Sequence, residues 1–130
     1  MKYLIVIVLF ISVSYNSFCQ NQDTTAYKLV DIEPKFEYKS AKSNQESVSL
    51  YVQENIKYPA ILCDIDISGK VYIEFVVELD GHLSNFKVLR GIDEIIDNAS
   101  IDVLKTMPKW TVAKKGNNNV RALTSVFIRW

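Results

Sequence analysis

Alternation dominates the middle of the chain. From Lys70 to Glu78, Val71, Ile73, Phe75 and Val77 fall on one side of a period-2 pattern, and Lys70, Tyr72, Glu74 and Glu78 on the other. This is the signature of a strand with one buried face. Asp80-Gly81 follows, a dipeptide suited to a type I′ hairpin turn because both central residues of that turn take positive φ. With those two residues as the loop, Phe75 faces Phe86, Ile73 faces Val88 and Glu74 faces Lys87. Aromatic, aliphatic and opposite-charge cross-strand pairs each stabilise by roughly 0.2–1 kcal/mol, and a one-residue slip would lose all three. The pairing therefore favours a two-residue loop, or a four-residue loop of the same parity.

Periodicity changes on either side of this hairpin. Ser43 to Ile56 reads as a helix: Ser43 and Glu46 fit a capping box, Val48, Tyr51, Val52 and Ile56 form an apolar stripe, and Pro59 forbids continuation. Ile61 to Ser68 is a connector whose Ile65 and Ile67 alternate with Asp64, Asp66 and Ser68, as in a short extended piece. A second helix starts at Asp97 as N-cap, with Ile96 and Ile101 as a hydrophobic staple, or earlier at Asp93. It carries Leu104 and Met107 inward, places Lys105 where the helix dipole favours a cation, and stops at Pro108. Residues 114–119 form a turn, and Val120 to Trp130 alternates again as a last strand, its outer face interrupted by Leu123 and Phe127.

The order helix, strand, strand, helix, strand gives an α+β fold. The second helix returns the chain along the sheet, so the last strand lies antiparallel beside the first. A right-handed crossover sets the order 2-1-3 with both helices on one face. The last strand is then an edge, and an edge with few charges is a template for another backbone.

Composition narrows the function. The chain has 130 residues, 48% of them apolar, with 15 basic and 15 acidic side chains. That is one domain's worth of core, and its zero net charge points away from nucleic acid. Met1-Lys2 and the apolar run Leu4 to Val13, followed by Ser17-Phe18-Cys19, resemble a signal peptide cleaved after Cys19. Lipidation at Cys19 and retention as an uncleaved anchor are the alternatives. Cleavage leaves 14 basic against 15 acidic side chains and Cys63 as the only thiol, which excludes an intrachain disulfide. Cys63 reads as a small, partly buried apolar residue. Asp64 and Asp66 lack the further acids and turn glycine of a calcium loop. The single histidine, His82, sits beside the hairpin turn with no nucleophile or oxyanion partner in view. No enzyme activity, metal or cofactor is expected.

These landmarks together resemble the C-terminal domain of TonB-type energy transducers, a fold of the TonB/TolA C-terminal kind. The resemblance rests on Tyr58-Pro59-Ala60, on Gly69-Lys70-Val71 leading into the first strand, on Asp80-Gly81-His82-Leu83, on Val88-Leu89-Arg90, on Asp97-Asn98-Ala99-Ser100 and on Met107-Pro108-Lys109-Trp110. Glu33-Pro34-Lys35-Phe36 resembles the family's lead-in, and the variant looks like the form common in Bacteroidetes-type bacteria. The implied organisation is a signal peptide over 1–19, a polar linker over 20–32 and the domain over 33–130.

The family likeness implies a periplasmic protein-binding module in energy-coupled transmembrane transport. Its partner would be the TonB box, an extended segment of a TonB-dependent outer-membrane receptor, added as a strand to the domain's edge. Carried onto this chain, the partner-binding residues are Arg121, Ala122, Leu123, Thr124, Ser125, Val126, Phe127 and Arg129, with Tyr58 and Pro59 nearby. The alternative is a structural domain that pairs edges with a second copy as a homodimer and takes no part in energy transduction. Two positions depart from the family pattern: Val112 stands where proline is usual, and Ser100 where alanine is usual. A complete transducer also has an uncleaved N-terminal helix and a long proline-rich spacer. With a cleaved signal and a short polar linker, this chain would bind but not pull.

Overall fold

The computed structural model describes residues 26–130. The predicted signal peptide, with Cys19, and the first residues of the linker lie outside the described residues.

The alternating stretch is the central strand. β1 (Lys70–Val77) pairs antiparallel with β2 (Leu83–Arg90) on one side and with β5 (Ala122–Arg129) on the other, giving the order β2-β1-β5. Val71, Ile73, Phe75 and Val77 are fully buried, as their shared face requires. Over that face pack α1 (Asn44–Asn55) and α2 (Glu94–Lys105), whose Val48, Val52, Ile96 and Leu104 share one apolar cluster with Ile73 and Phe75. This is the α+β architecture and the strand order that the connection rules dictate. A second, two-stranded sheet accompanies it. The stretch expected as a plain turn is a small hairpin of β3 (Ala113–Lys115) and β4 (Asn118–Val120), turned at Gly116 with φ +63°.

The hairpin register holds at Ile73–Val88 and Glu74–Lys87 but changes nearer the turn, where Val76 pairs with Ser84 and Val77 with Leu83. The loop has three residues, Leu79-Asp80-Gly81, not two. The Gly81 N–H donates to Glu78 O (2.9 Å) and the Glu78 N–H to His82 O (2.8 Å). Only Gly81, at φ +86°, is left-handed there; Asp80 is not. That is the three-residue hairpin geometry, not a type I′ turn. Asn85, at φ +50°, supplies the compensating extra residue as a β-bulge, so Phe86 still reaches Phe75 with ring centroids 5.9 Å apart.

The helix starts are set by side-chain caps. Ser43 Oγ accepts the Glu46 N–H (3.2 Å), while the Glu46 carboxylate takes the Lys42 N–H (2.7 Å) and not that of Ser43. α2 begins at the earlier of the two expected sites, because Asp93 caps it by accepting the Ile95 N–H (2.9 Å). Asp97 lies inside the helix and its carboxylate takes the Ile92 N–H (2.9 Å). The staple between Ile96 and Ile101 is therefore not formed as such; Ile96 is core. Between α1 and β1, the connector opens with a 3-10 turn (Ala60–Leu62) and a further turn closed by the Ile65 N–H on Leu62 O (3.2 Å), leaving Ile61 and Ile65 exposed while Ile67 packs against the core. Cys63, expected to be partly buried, is exposed there.

Residues upstream of α1 also belong to the fold. Phe36 is buried and stacks on Trp110 at 5.4 Å. Asn44 holds this lead-in to α1, its side chain accepting the Phe36 N–H and donating to Pro34 O. Lys35 exchanges both backbone hydrogen bonds with Thr111, and Ile32 does so with Lys114. Tyr27 also bridges to Ala122.

Candidate functional site: the β5 edge

β5 ends the sheet, and its pairing with β1 decides which backbone groups face outward. Gly69 and Trp130 exchange both hydrogen bonds (2.9 and 3.3 Å). In an antiparallel pair such residues alternate with ones whose N–H and C=O point away from the partner. From the register, Ala122, Thr124, Val126 and Ile128 bond inward to β1. The outward groups belong to Arg121, Leu123, Ser125, Phe127 and Arg129. Ala122 and Val126 are also buried by side chain, so neither their backbone nor their side chain is presented at the edge. Of the residues from Arg121 to Arg129 predicted from sequence for partner binding, the odd-numbered ones therefore form the outward row.

That row is not bare. At its start the Tyr27 N–H donates to Arg121 O and the Leu123 N–H to Tyr27 O, both at 2.9 Å, as a parallel bridge. Further along, the Gln45 carboxamide engages Phe127 twice: Nε2 donates to Phe127 O (2.8 Å) and Oε1 accepts the Phe127 N–H (3.1 Å). Ser49 Oγ accepts from the same Nε2 at 3.1 Å and steadies the amide. Between these clasps a cleft of about 320 Å³ opens beside Leu123, Thr124 and Ser125, walled by Lys28 and Val30 of the lead-in. Neither Tyr27 nor Gln45 carried a sequence signal for this role. Gln45 is a polar residue in the first turn of a helix, and its target is 82 positions away.

Side chains of the outward row lie on the sheet face opposite the helices. Phe127 packs on Tyr72 (5.9 Å between centroids) and under Lys70 Nζ (4.5 Å). Arg121 is drawn into a two-pronged pair with Glu78, Nε to Oε2 at 2.6 Å and Nη2 to Oε1 at 2.9 Å. Ser84 Oγ also donates to Glu78. The Arg121 guanidinium, assisted by Ser84, holds the Glu78 carboxyl below the usual carboxylate range against the opposing effect of burial. Arg129 is exposed. Tyr58 stands at the far end of β5, 68% exposed, with its ring edge-on to Trp130 at 5.4 Å. Pro59 precedes the 3-10 turn. The structure thus brings Tyr58 to the C-terminal end of the strand and Arg121 to its start, not to one spot. Among the described residues no three His, Cys, Asp or Glu side chains cluster as metal ligands.

A family model, the Gram-negative bacterial TonB protein C-terminal, matches residues 54–130. The chain belongs to that family. The match starts in the last turn of α1 and runs through β5, so the hairpin, α2 and the outward row lie inside it, while Tyr27 and Gln45 lie before it. Among solved structures, the NMR solution structure of the Helicobacter pylori TonB C-terminal domain is similar, with 18% identity, a TM-score of 0.49, and coverage of 64% of this chain and 87% of that one. A search of curated proteins finds no match.

Proposed function

We propose that this chain is a periplasmic TonB-like binding module that takes up an extended segment of a TonB-dependent outer-membrane receptor by adding it as a strand to β5, in the service of energy-coupled transport. The observation that carries the reading is the outward row of Leu123, Ser125, Phe127 and Arg129 on a terminal strand of a TonB-family domain. Main-chain hydrogen bonds would supply affinity, and the side chains flanking the row would supply selectivity. Tyr58, Pro59 and Arg121 mark the two ends of the docking strand. The family is one of protein-interaction modules, and the domain acts by binding, without catalysis.

Export rests on the N-terminal sequence, with cleavage after Cys19 as the reading; mass spectrometry of the mature N-terminus tests it. Titration with a synthetic TonB-box peptide, followed by amide hydrogen exchange, tests the binding. Protection should rise at Ser125, the outward amide between the two clasps. Unchanged exchange along β5 at saturating peptide overturns the reading, and protection that grows with protein concentration alone replaces it with edge pairing between copies.

A further inference from the structure

The same edge that would receive a partner is already gripped by its own chain. Its outward groups come in a fixed sequence: Arg121, Leu123, Ser125, Phe127, Arg129. The Arg121 C=O and the Leu123 N–H are taken by the backbone of Tyr27. Both groups of Phe127 are taken by Gln45. Ser125 lies between them, at the cleft beside Lys28 and Val30. An incoming strand that disturbs nothing is limited to the Leu123 C=O and Ser125 between the clasps and to Arg129 beyond them. One that pairs along the whole row must displace both clasps.

The Gln45 clasp has the chemistry of a substitute strand. A carboxamide carries the same C=O and N–H as a peptide group. By accepting the Phe127 N–H and donating to the Phe127 C=O, it reproduces the exchange that a directly opposed antiparallel residue makes. Within α1 the Gln45 carboxamide meets only Ser49 Oγ, while Ser43 caps the helix and Asn44 ties down the lead-in. Tyr27 supplies a second substitute, a short stretch of extended backbone lying parallel to β5.

We propose that Gln45 and Tyr27 form a displaceable gate on the β5 edge, and that the receptor segment binds by exchanging with them. This rests on the strand-addition reading. The gate leaves the edge covered while no partner is present, which suppresses pairing between copies, and it makes the apparent affinity depend on how often the clasps open.

Two substitutions in the full chain open the gate from opposite ends. Gln45→Met keeps the length of the side chain and removes both bonds to Phe127. Tyr27→Pro removes the N–H that donates to Arg121 O. In the free protein, the Phe127 amide should exchange faster in Gln45→Met and the Leu123 amide faster in Tyr27→Pro, with β1 amides unchanged as the sign that the fold is intact. Each variant should bind the TonB-box peptide about three- to tenfold more tightly than wild type, and the double variant more tightly than either. If the variants and wild type bind equally well while Phe127 exchange rises in Gln45→Met, the gate is overturned and strand addition stands. If none of them binds although Phe127 exchange rises, strand addition at this edge falls, and the gate with it. If the Phe127 amide exchanges as fast in wild type as in Gln45→Met, the clasp does not close the edge and the proposal fails at its first step.

Discussion

Glu78 and Arg121 meet across the paired ends of β1 and β5 as a two-pronged ion pair, with nitrogen–oxygen distances of 2.6 and 2.9 Å and side chains only 27% and 19% exposed. Arg121 presents its backbone C=O at the edge while its guanidinium is committed to Glu78, so this residue ties the outward row to the central strand. Folding lowers the Glu78 carboxyl below its ordinary range. Its contribution is therefore fully present above the unfolded value, about 4.3, and is lost as pH falls through the lower folded value. Glu78→Gln should cost about 1–2 kcal/mol at neutral pH and should remove part of the stability loss seen in wild type below about pH 4. Urea unfolding midpoints of both proteins between neutral and acid pH check this.

Ser100 is fully buried in α2, donates to Ile96 O (2.8 Å) and accepts the indole N–H of Trp130 (2.9 Å). The hydroxyl is the group that an alanine at this position would lack. Ser100→Ala leaves the Trp130 N–H without its acceptor and should cost about 1–2 kcal/mol. Because Trp130 also exchanges backbone hydrogen bonds with Gly69 and supports Tyr58, the loosening should be read at the end of β5. Thermal unfolding measures the cost, and faster exchange of the Trp130 indole proton locates it.

Gly81 is required twice over. Its φ of +86° disfavours any L side chain, and a Cβ at that position would stand 2.5 Å from Trp110 O. Its own carbonyl accepts the Trp110 N–H at 2.9 Å, so the hairpin tip cannot simply move aside. Gly81→Ala should destabilise by about 2 kcal/mol or more, whereas Asp80→Asn, at an exposed position that keeps a side-chain acceptor for the His82 N–H, should change stability by about 0.5 kcal/mol or less. Chemical denaturation of the pair distinguishes a backbone requirement from a turn-propensity effect.

Much of the fold was legible because strong local patterns agreed with one another. The alternation of β1, the stripe Val48, Tyr51 and Val52, and the prolines after each helix all pointed to one sheet under two helices. The loop length was misread because pair matching at Glu74–Lys87 is blind to a later compensation: the bulge at Asn85 absorbs the third loop residue and restores parity. The start of α2 had two acceptable caps, and tertiary packing chose Asp93 by burying Ile96. The candidate edge was legible as a strand, since alternation survives in Val120 to Trp130. Its occupancy was not. Hydrogen bonds between Gln45 and Phe127 and between Tyr27 and Leu123 join positions with no local relationship, and a glutamine or a lone backbone peptide group has no pattern that announces such a bond. The lead-in was equally silent: nothing in its sequence announces the hydrogen bonds that Ile32 and Tyr27 make to Lys114 and to the β5 edge.

The tip of the β1–β2 hairpin and the exit of α2 rest on each other through Gly81 and Trp110. The Asp80-Gly81 and Met107-Pro108-Lys109-Trp110 motifs, which look along the chain like two independent landmarks, are the two halves of one joint. Such halves are free to vary only together. In a sequence of this kind where the glycine is replaced, the segment after Pro108 should have shifted or shortened to make room, and a chain that kept one half without the other would have lost the contact that seats the hairpin on the core.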